Sequence, residues 1–164
     1  MMMGEPHSPD MHVPDTGAEA HFRALESLYA LAPVNRLFPS QLTIIASGES
    51  RISFEVQPAL FHAAGALHGT SYFKMLDDAA FYAANSLVTD RFLLTTAFNM
   101  FFTRPLKSGK VTAHGRWISG KRRVLVADAR LVDASGEEVA RGTGTFMRSG
   151  YALSSLPGYV VAGG

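Results

Sequence analysis

The stretch Leu67-His68-Gly69-Thr70-Ser71-Tyr72-Phe73-Lys74-Met75-Leu76-Asp77-Asp78-Ala79-Ala80-Phe81-Tyr82-Ala83-Ala84-Asn85-Ser86-Leu87 decides the fold. From Gly69 to Leu87 it contains no proline and no internal glycine, and it is rich in Ala, Leu, Met and Phe, which predicts one long, mostly apolar helix. Downstream of a loop at 88–91 the pattern turns to β. Phe92–Arg104 ends at Pro105, Lys110–Ile118 ends at Gly120, and Arg123–Val132 ends in the turn signal Asp133-Ala134-Ser135-Gly136. A last strand is expected over Glu138–Arg148, with Gly142 and Gly144 suggesting a bend or a close backbone approach. Upstream, strands are expected at Leu42–Ala46 and Arg51–Gln57 around a turn at Ser47-Gly48-Glu49-Ser50, followed by a loop at 58–67. A first helix, Glu19–Leu31, carries Phe22, Leu25, Leu28 and Tyr29 at helical spacing and is closed by Pro33. The order is helix, two strands, long helix, four strands. That is an α+β design, in which a long helix faces an antiparallel sheet. No second set of helices is available for the sheet's other face, so that face must be polar or covered by another subunit.

The totals narrow the function classes. A chain of 164 residues with 47% hydrophobic and 18% charged residues fits one domain with a single core. We expect a flexible N-terminal tail over 1–17, the domain over 18–148, and a C-terminal tail over 149–164. Net charge is +1, which gives no reason to expect nucleic-acid or membrane-surface partners. There is no cysteine, hence no disulfide, thiol chemistry or thiolate metal site, which fits a reducing cytoplasm. No apolar run is long enough to span a bilayer, and the N-terminus has no signal-peptide pattern. The motifs of serine α/β hydrolases, Walker nucleotide loops and HExxH metalloenzymes are missing. The six histidines are scattered without spaced carboxylate or cysteine companions, so no metal site is expected.

Two features of the long helix suggest chemistry. Its front end, Leu67-His68-Gly69-Thr70-Ser71, exposes unpaired backbone N–H groups, and Gly69 allows a close approach to them. It is either an ordinary capped start or a place for a developing oxyanion. In mid-helix, the i±4 neighbours separate two aspartates. Asp78 has Lys74 and Tyr82, whereas Asp77 has Phe73 and Phe81. An Asp between two Phe rings is expected to have a raised pKa suited to a base or nucleophile, unless the row turns outward to solvent. Gly69 and Asp77 are eight residues, about 12 Å, apart along the axis. They can share one site only if each comes from a different subunit, which makes an obligate dimer the expectation.

With these residues in view, the chain from Glu19 to Arg148 resembles the hotdog-fold thioesterases, specifically the phenylacetate-degradation type of the 4-hydroxybenzoyl-CoA thioesterase superfamily. The resemblance rests on Leu67-His68-Gly69, Asp77 nine residues after His68, Ala83-Ala84-Asn85-Ser86, Phe98–Pro105, Gly109–Ala113 and Gly136–Phe146, in that order. It implies a long helix wrapped by a curved antiparallel sheet, homodimers often paired into tetramers, and hydrolysis of an acyl-CoA thioester with no cofactor beyond the CoA of the substrate. It also implies roles for particular residues. Asp77 is the catalytic carboxylate, Gly69 the oxyanion-hole N–H and His68 the motif histidine. Thr95 is the strand hydroxyl that places water or carboxylate. His62 stands where the family commonly has an Asn. Thr70 replaces a second Gly of the family pattern, and His62 reads equally as a loop histidine packed on Phe61. Lys121, Arg122, Arg123, Arg104 and Lys107 are candidate CoA-phosphate contacts or solvated charges. Phe98, Met100, Phe101, Phe102 and Trp117 are pocket or core residues. A hotdog hydratase or dehydratase and a non-catalytic acyl-CoA-binding module are the alternatives, separated by enoyl-CoA turnover and by ligand binding without CoA release.

Overall fold

The computed structural model describes residues 16–162. Helix α1 (Thr16–Leu31) leads into strands β1 (Ser40–Ala46) and β2 (Glu49–Glu55). The long helix α2 (Gly69–Asn85) is followed by β3 (Arg91–Phe102), β4 (Lys110–Ser119), β5 (Val124–Val132) and β6 (Glu138–Ala152). The six strands form one antiparallel sheet in the order β1-β2-β4-β5-β6-β3. This is the α+β hotdog arrangement, with α2 packed on one face of the sheet. No described helix is long and apolar enough to cross a membrane.

Several boundaries differ from the expectations. The N-terminal tail expected over 1–17 falls outside the described residues except for Thr16 and Gly17, which open α1. Helix α2 stops at Asn85 because the Asn85 side chain leaves the helix pattern to hold the next strand: its Oδ1 accepts from Leu93 N–H (3.0 Å) and its Nδ2 donates to the carbonyls of Val88 and Arg91 (both 3.1 Å). Strand β6 runs past residue 148 to Ala152, and Leu153 beyond it is fully buried. At the end of the described chain, the Tyr159 hydroxyl meets Nδ1 of the buried His21 at 2.6 Å, which ties this segment to α1.

The helix lies very close to the sheet. A Cβ on Gly115 of β4 would stand 2.0 Å from the Ala79 carbonyl oxygen, so only glycine fits there. Ser50 Oγ donates to that same carbonyl at 2.6 Å. Ala79, Ala80, Ala83 and Ala84 are fully buried and keep this side of α2 narrow. On the helix's other side, Tyr29 of α1 meets Tyr82 edge-on.

The two edges of the sheet are treated differently. At β1, Glu26 of α1 accepts from Ile44 N–H at 2.7 Å, and Arg23 donates to the Ile44 carbonyl at 3.2 Å, so α1 covers that edge. The β3 edge has no such cover among the described residues. Along it, Leu94, Phe101 and Phe102 are 46%, 61% and 55% exposed.

Candidate active site

Asp77 is half-buried on the side of α2 that faces β3. Thr95 Oγ1 donates to Asp77 Oδ1 at 2.9 Å. Burial pushes the Asp77 pKa up to about 6. The Thr95 hydrogen bond is the main opposing influence; beyond it, Asp78 adds to the rise and Lys74 works against it. Burial raises the Asp78 carboxyl as well, so what separates the two aspartates is their partners. Lys74 pairs with Asp78, not Asp77, and its Nζ also donates to Asn35 Oδ1 at 2.6 Å. The only side-chain hydrogen bond to Asp77 among the described residues comes from a hydroxyl.

The front end of α2 is capped in an unusual way. His68 is the N-cap, and its Nδ1 accepts from Thr70 N–H at 3.1 Å. The Thr70 hydroxyl lies 3.0 Å from the same nitrogen. The side chain that replaces a second glycine thus reinforces the cap. Ser71 N–H is taken by the His68 carbonyl at 3.0 Å. Gly69 N–H makes no hydrogen bond among the described residues, so it is the first donor of the helix left unclaimed. A ring atom of Phe102 lies 3.4 Å from where a Gly69 Cβ would be, an ordinary contact.

His62, Gly69, Tyr72, Phe102 and Arg104 line one cleft of about 380 Å3. The loop below it is drawn tight by a bridge between Phe61 and Leu67 and by Gly65 at positive φ. His62 Nδ1 accepts from Ala64 N–H at 3.0 Å, and no ring contact with Phe61 forms. A neutral His62 in this hydrogen bond carries its proton on Nε2, which makes it a donor like an amide side chain. Tyr72, overlooked in the sequence, shapes the same cleft: its hydroxyl donates to the Arg104 carbonyl at 2.8 Å, and its ring meets Phe102 edge-on. Its position three residues after Gly69 was the available signal.

The five proposed site residues thus fall into two groups within one chain. His62, His68 and Gly69 gather at the front of α2, and Asp77 with Thr95 sits two turns further on. The aromatic set divides too. Phe98 covers Gly142 and Gly144, either of whose Cβ would come within 2.5 Å of its ring, and it meets Phe73 edge-on. Phe101 instead reaches the opposite side of the sheet, and Trp117 lies at the β4–β5 hairpin under Lys121. Arg104 is engaged by Glu137. Among the described residues, no group of three or more His, Cys, Asp or Glu side chains could hold a metal ion.

The family model described as "Thioesterase superfamily" matches residues 64–140, which cover α2 and β3 to β5. A protein of Saccharolobus solfataricus named "Putative esterase" is 30% identical over 103 residues, 63% of this chain and 69% of that protein. The chain belongs to the thioesterase superfamily. A protein of Sulfurisphaera tokodaii, also named "Putative esterase", is 27% identical over 66% of this chain and 81% of its own length. Among solved structures, the PaaI protein of the E. coli phenylacetic acid degradation operon superposes with a TM-score of 0.75 at 19% identity, over 82% of this chain and 97% of that one. A thioesterase of Haemophilus influenzae gives 0.68 at 18% identity, over 77% and 88%. These two likenesses establish the shared fold.

Proposed function

We propose that this thioesterase-superfamily chain hydrolyses acyl-CoA thioesters as a homodimer with two composite sites. In each, Asp77 and Thr95 of one subunit face Gly69 and His62 of the other. The observation that carries this reading is the division of the site. A carboxylate with a raised pKa and no ion pair, and an N–H with no hydrogen bond beside a cleft, both among the described residues, lie about 12 Å apart on one helix. Each is half of a hydrolytic site. The bare β3 edge supports the pairing. Two copies joined there about a two-fold axis would run their long helices antiparallel and cover Leu94, Phe101 and Phe102.

In the reaction, the Gly69 N–H receives the charge that develops on the thioester oxygen. Asp77 either takes a proton from the attacking water or attacks the carbonyl carbon itself. The C–S bond then breaks, and CoA leaves as a thiolate that acquires a proton. In the second route water cleaves the mixed anhydride. Thr95 orients the carboxylate, the Nε2–H of His62 supports the substrate carbonyl or water, and His68 holds the helix start in place. Lys107, Lys121, Arg122 and Arg123, exposed on loops, are the candidate contacts for CoA phosphates. The spacing of His68, Gly69 and Asp77 favours the phenylacetate-degradation type within the superfamily.

The test is CoA release from a panel of aryl and short- to long-chain acyl-CoAs by wild type and Asp77→Asn. Turnover by wild type that falls about a hundredfold or more in the variant is expected. No turnover of any member, with enoyl-CoA hydration or binding without CoA release in its place, would reject the reading.

A further inference from the structure

A groove lies on the outer face of the sheet, opposite α2, and the hydrolytic reading does not use it. It measures about 630 Å3 and is lined by charged side chains of β2, β4, β5 and β6. The antiparallel registers align one row of residues across the whole sheet. Thr43 pairs with Arg51, Arg51 with His114, His114 with Arg130, Arg130 with Arg141, and Arg141 with Phe101. Directly opposed side chains in such a ladder stand about 4.5–5.5 Å apart at Cβ, and like charges there oppose folding.

Part of this row is neutralised internally. Arg141 is held by both oxygens of Glu138 at 2.7 and 3.2 Å. In the next row, Asp128 accepts from Thr143 Oγ1 at 2.8 Å and lies close enough to Arg141 to act on it. Arg51 and Arg130, however, make no hydrogen bond or ion pair among the described residues, and the same is true of Arg116 beside them. His114 stands between Arg51 and Arg130. Burial, then the charges of Arg51 and Arg130, lower its pKa, so both guanidinium groups act on the same point. Glu49 and Asp128 border the groove on one side and would steer an anion toward the Arg51–Arg130 row.

We propose that this row is a second binding site, for a small diphosphate-bearing anion held by Arg51 and Arg130 with His114 between them. The two arginines come from strands two ladder steps apart, about 10 Å at the backbone. Long side chains converging from that distance span two linked phosphates, and guanidinium groups take phosphate oxygens in pairs. A bound dianion removes the like-charge opposition along the ladder. The site is on the opposite face of the sheet from Asp77 and Gly69, so it stands or falls separately from the thioesterase reading.

Calorimetric titration at low salt with pyrophosphate and with ADP, on wild type and on Arg51→Ser/Arg130→Ser, tests it. Both residues point outward, and circular dichroism checks that the double variant is folded. We expect saturable binding of pyrophosphate near one per chain, weakened about tenfold or more in the double variant and by added salt. Tighter wild-type binding of ADP than of pyrophosphate would identify a nucleotide as the source, and ADP binding no tighter than pyrophosphate would identify the diphosphate alone. Wild type that fails to bind either anion, or a double variant that binds as wild type does, would overturn the proposal. So would a change in assembly size on the double substitution without ligand, which would assign the row to a contact between subunits.

Discussion

Thr95 Oγ1 donates to Asp77 Oδ1 at 2.9 Å, linking the bare edge strand to the long helix across the open side of the molecule. The bond stabilises the ionised carboxylate and so opposes the rise that burial causes. In Thr95→Val the same burial acts with less opposition. The acid limb of the pH–rate profile should therefore move to higher pH, and activity near neutrality should fall about tenfold. A profile with an unmoved acid limb would mean that Thr95 does not set the Asp77 ionisation.

In the wild type, the Asp77 pKa of about 6 places its ionised form above that pH. Activity that needs the carboxylate should fall about tenfold per pH unit below it. The same shift acts on stability. The folded pKa lies above the unfolded value of about 4, so the folded protein binds the proton more tightly, and burying the charge costs stability above pH 6. The cost disappears as pH falls from 6 toward 4. Asp77→Asn removes it and should raise stability at pH 7 by about 1–2 kcal/mol, allowing for the carboxylate's partial contact with water. Denaturant unfolding at pH 7 and pH 4.5 checks this: the gain should be present at the first and small at the second.

Asn85 should prove structural. It is fully buried, and its three hydrogen bonds hold the turn between α2 and β3. Asn85→Ala leaves Leu93 N–H and two carbonyls without partners and should cost about 2–4 kcal/mol in urea unfolding. A loss of activity at low temperature with no loss of stability would instead give Asn85 a part in the chemistry.

Gly69 allows a substitution that removes one hydrogen atom's worth of function. It is the first residue of α2, where proline is well accepted, and the preceding His68 has ψ 146°, compatible with a following proline. Gly69→Pro should keep the helix, as measured by circular dichroism, while deleting the unclaimed N–H. The expected loss in kcat is about a hundredfold or more. Gly69→Ala keeps the N–H and makes only an ordinary contact with Phe102, so it should retain most activity.

Much of this was legible in the sequence, for identifiable reasons. The uninterrupted run from Gly69, the Pro and Gly stops between strands, and the helix-stop at Pro33 are local signals, and the elements follow them within a few residues. Asp77 could be told from Asp78 because helix neighbours lie four residues apart, and Lys74 duly pairs with Asp78. Gly142 and Gly144 suggest a bend or a close backbone approach; the ring of Phe98 lies against both, and the Asn99 carbonyl oxygen lies against Gly142. What escaped the sequence depends on distant pairing. No periodicity shows that β3 joins β6 at the sheet edge, that His62 shares a cleft with Gly69, or that Arg51, His114 and Arg130 fall into one row. The end of α2 was read two residues late because Asn85 acts through its long-range bonds to the β3 start rather than through helix propensity.

The composite site is tested most directly by mixing two inactive variants. Asp77→Asn and Gly69→Pro are combined in equal amounts, allowed to exchange subunits, and assayed for CoA release. In a mixed dimer one site carries both lesions and the other carries neither. Random exchange makes half of the dimers mixed, so about a quarter of wild-type activity should return. If Asp77 and Gly69 of the same chain form each site, every site keeps a lesion. A mixture that exchanges subunits and stays inactive would contradict the account.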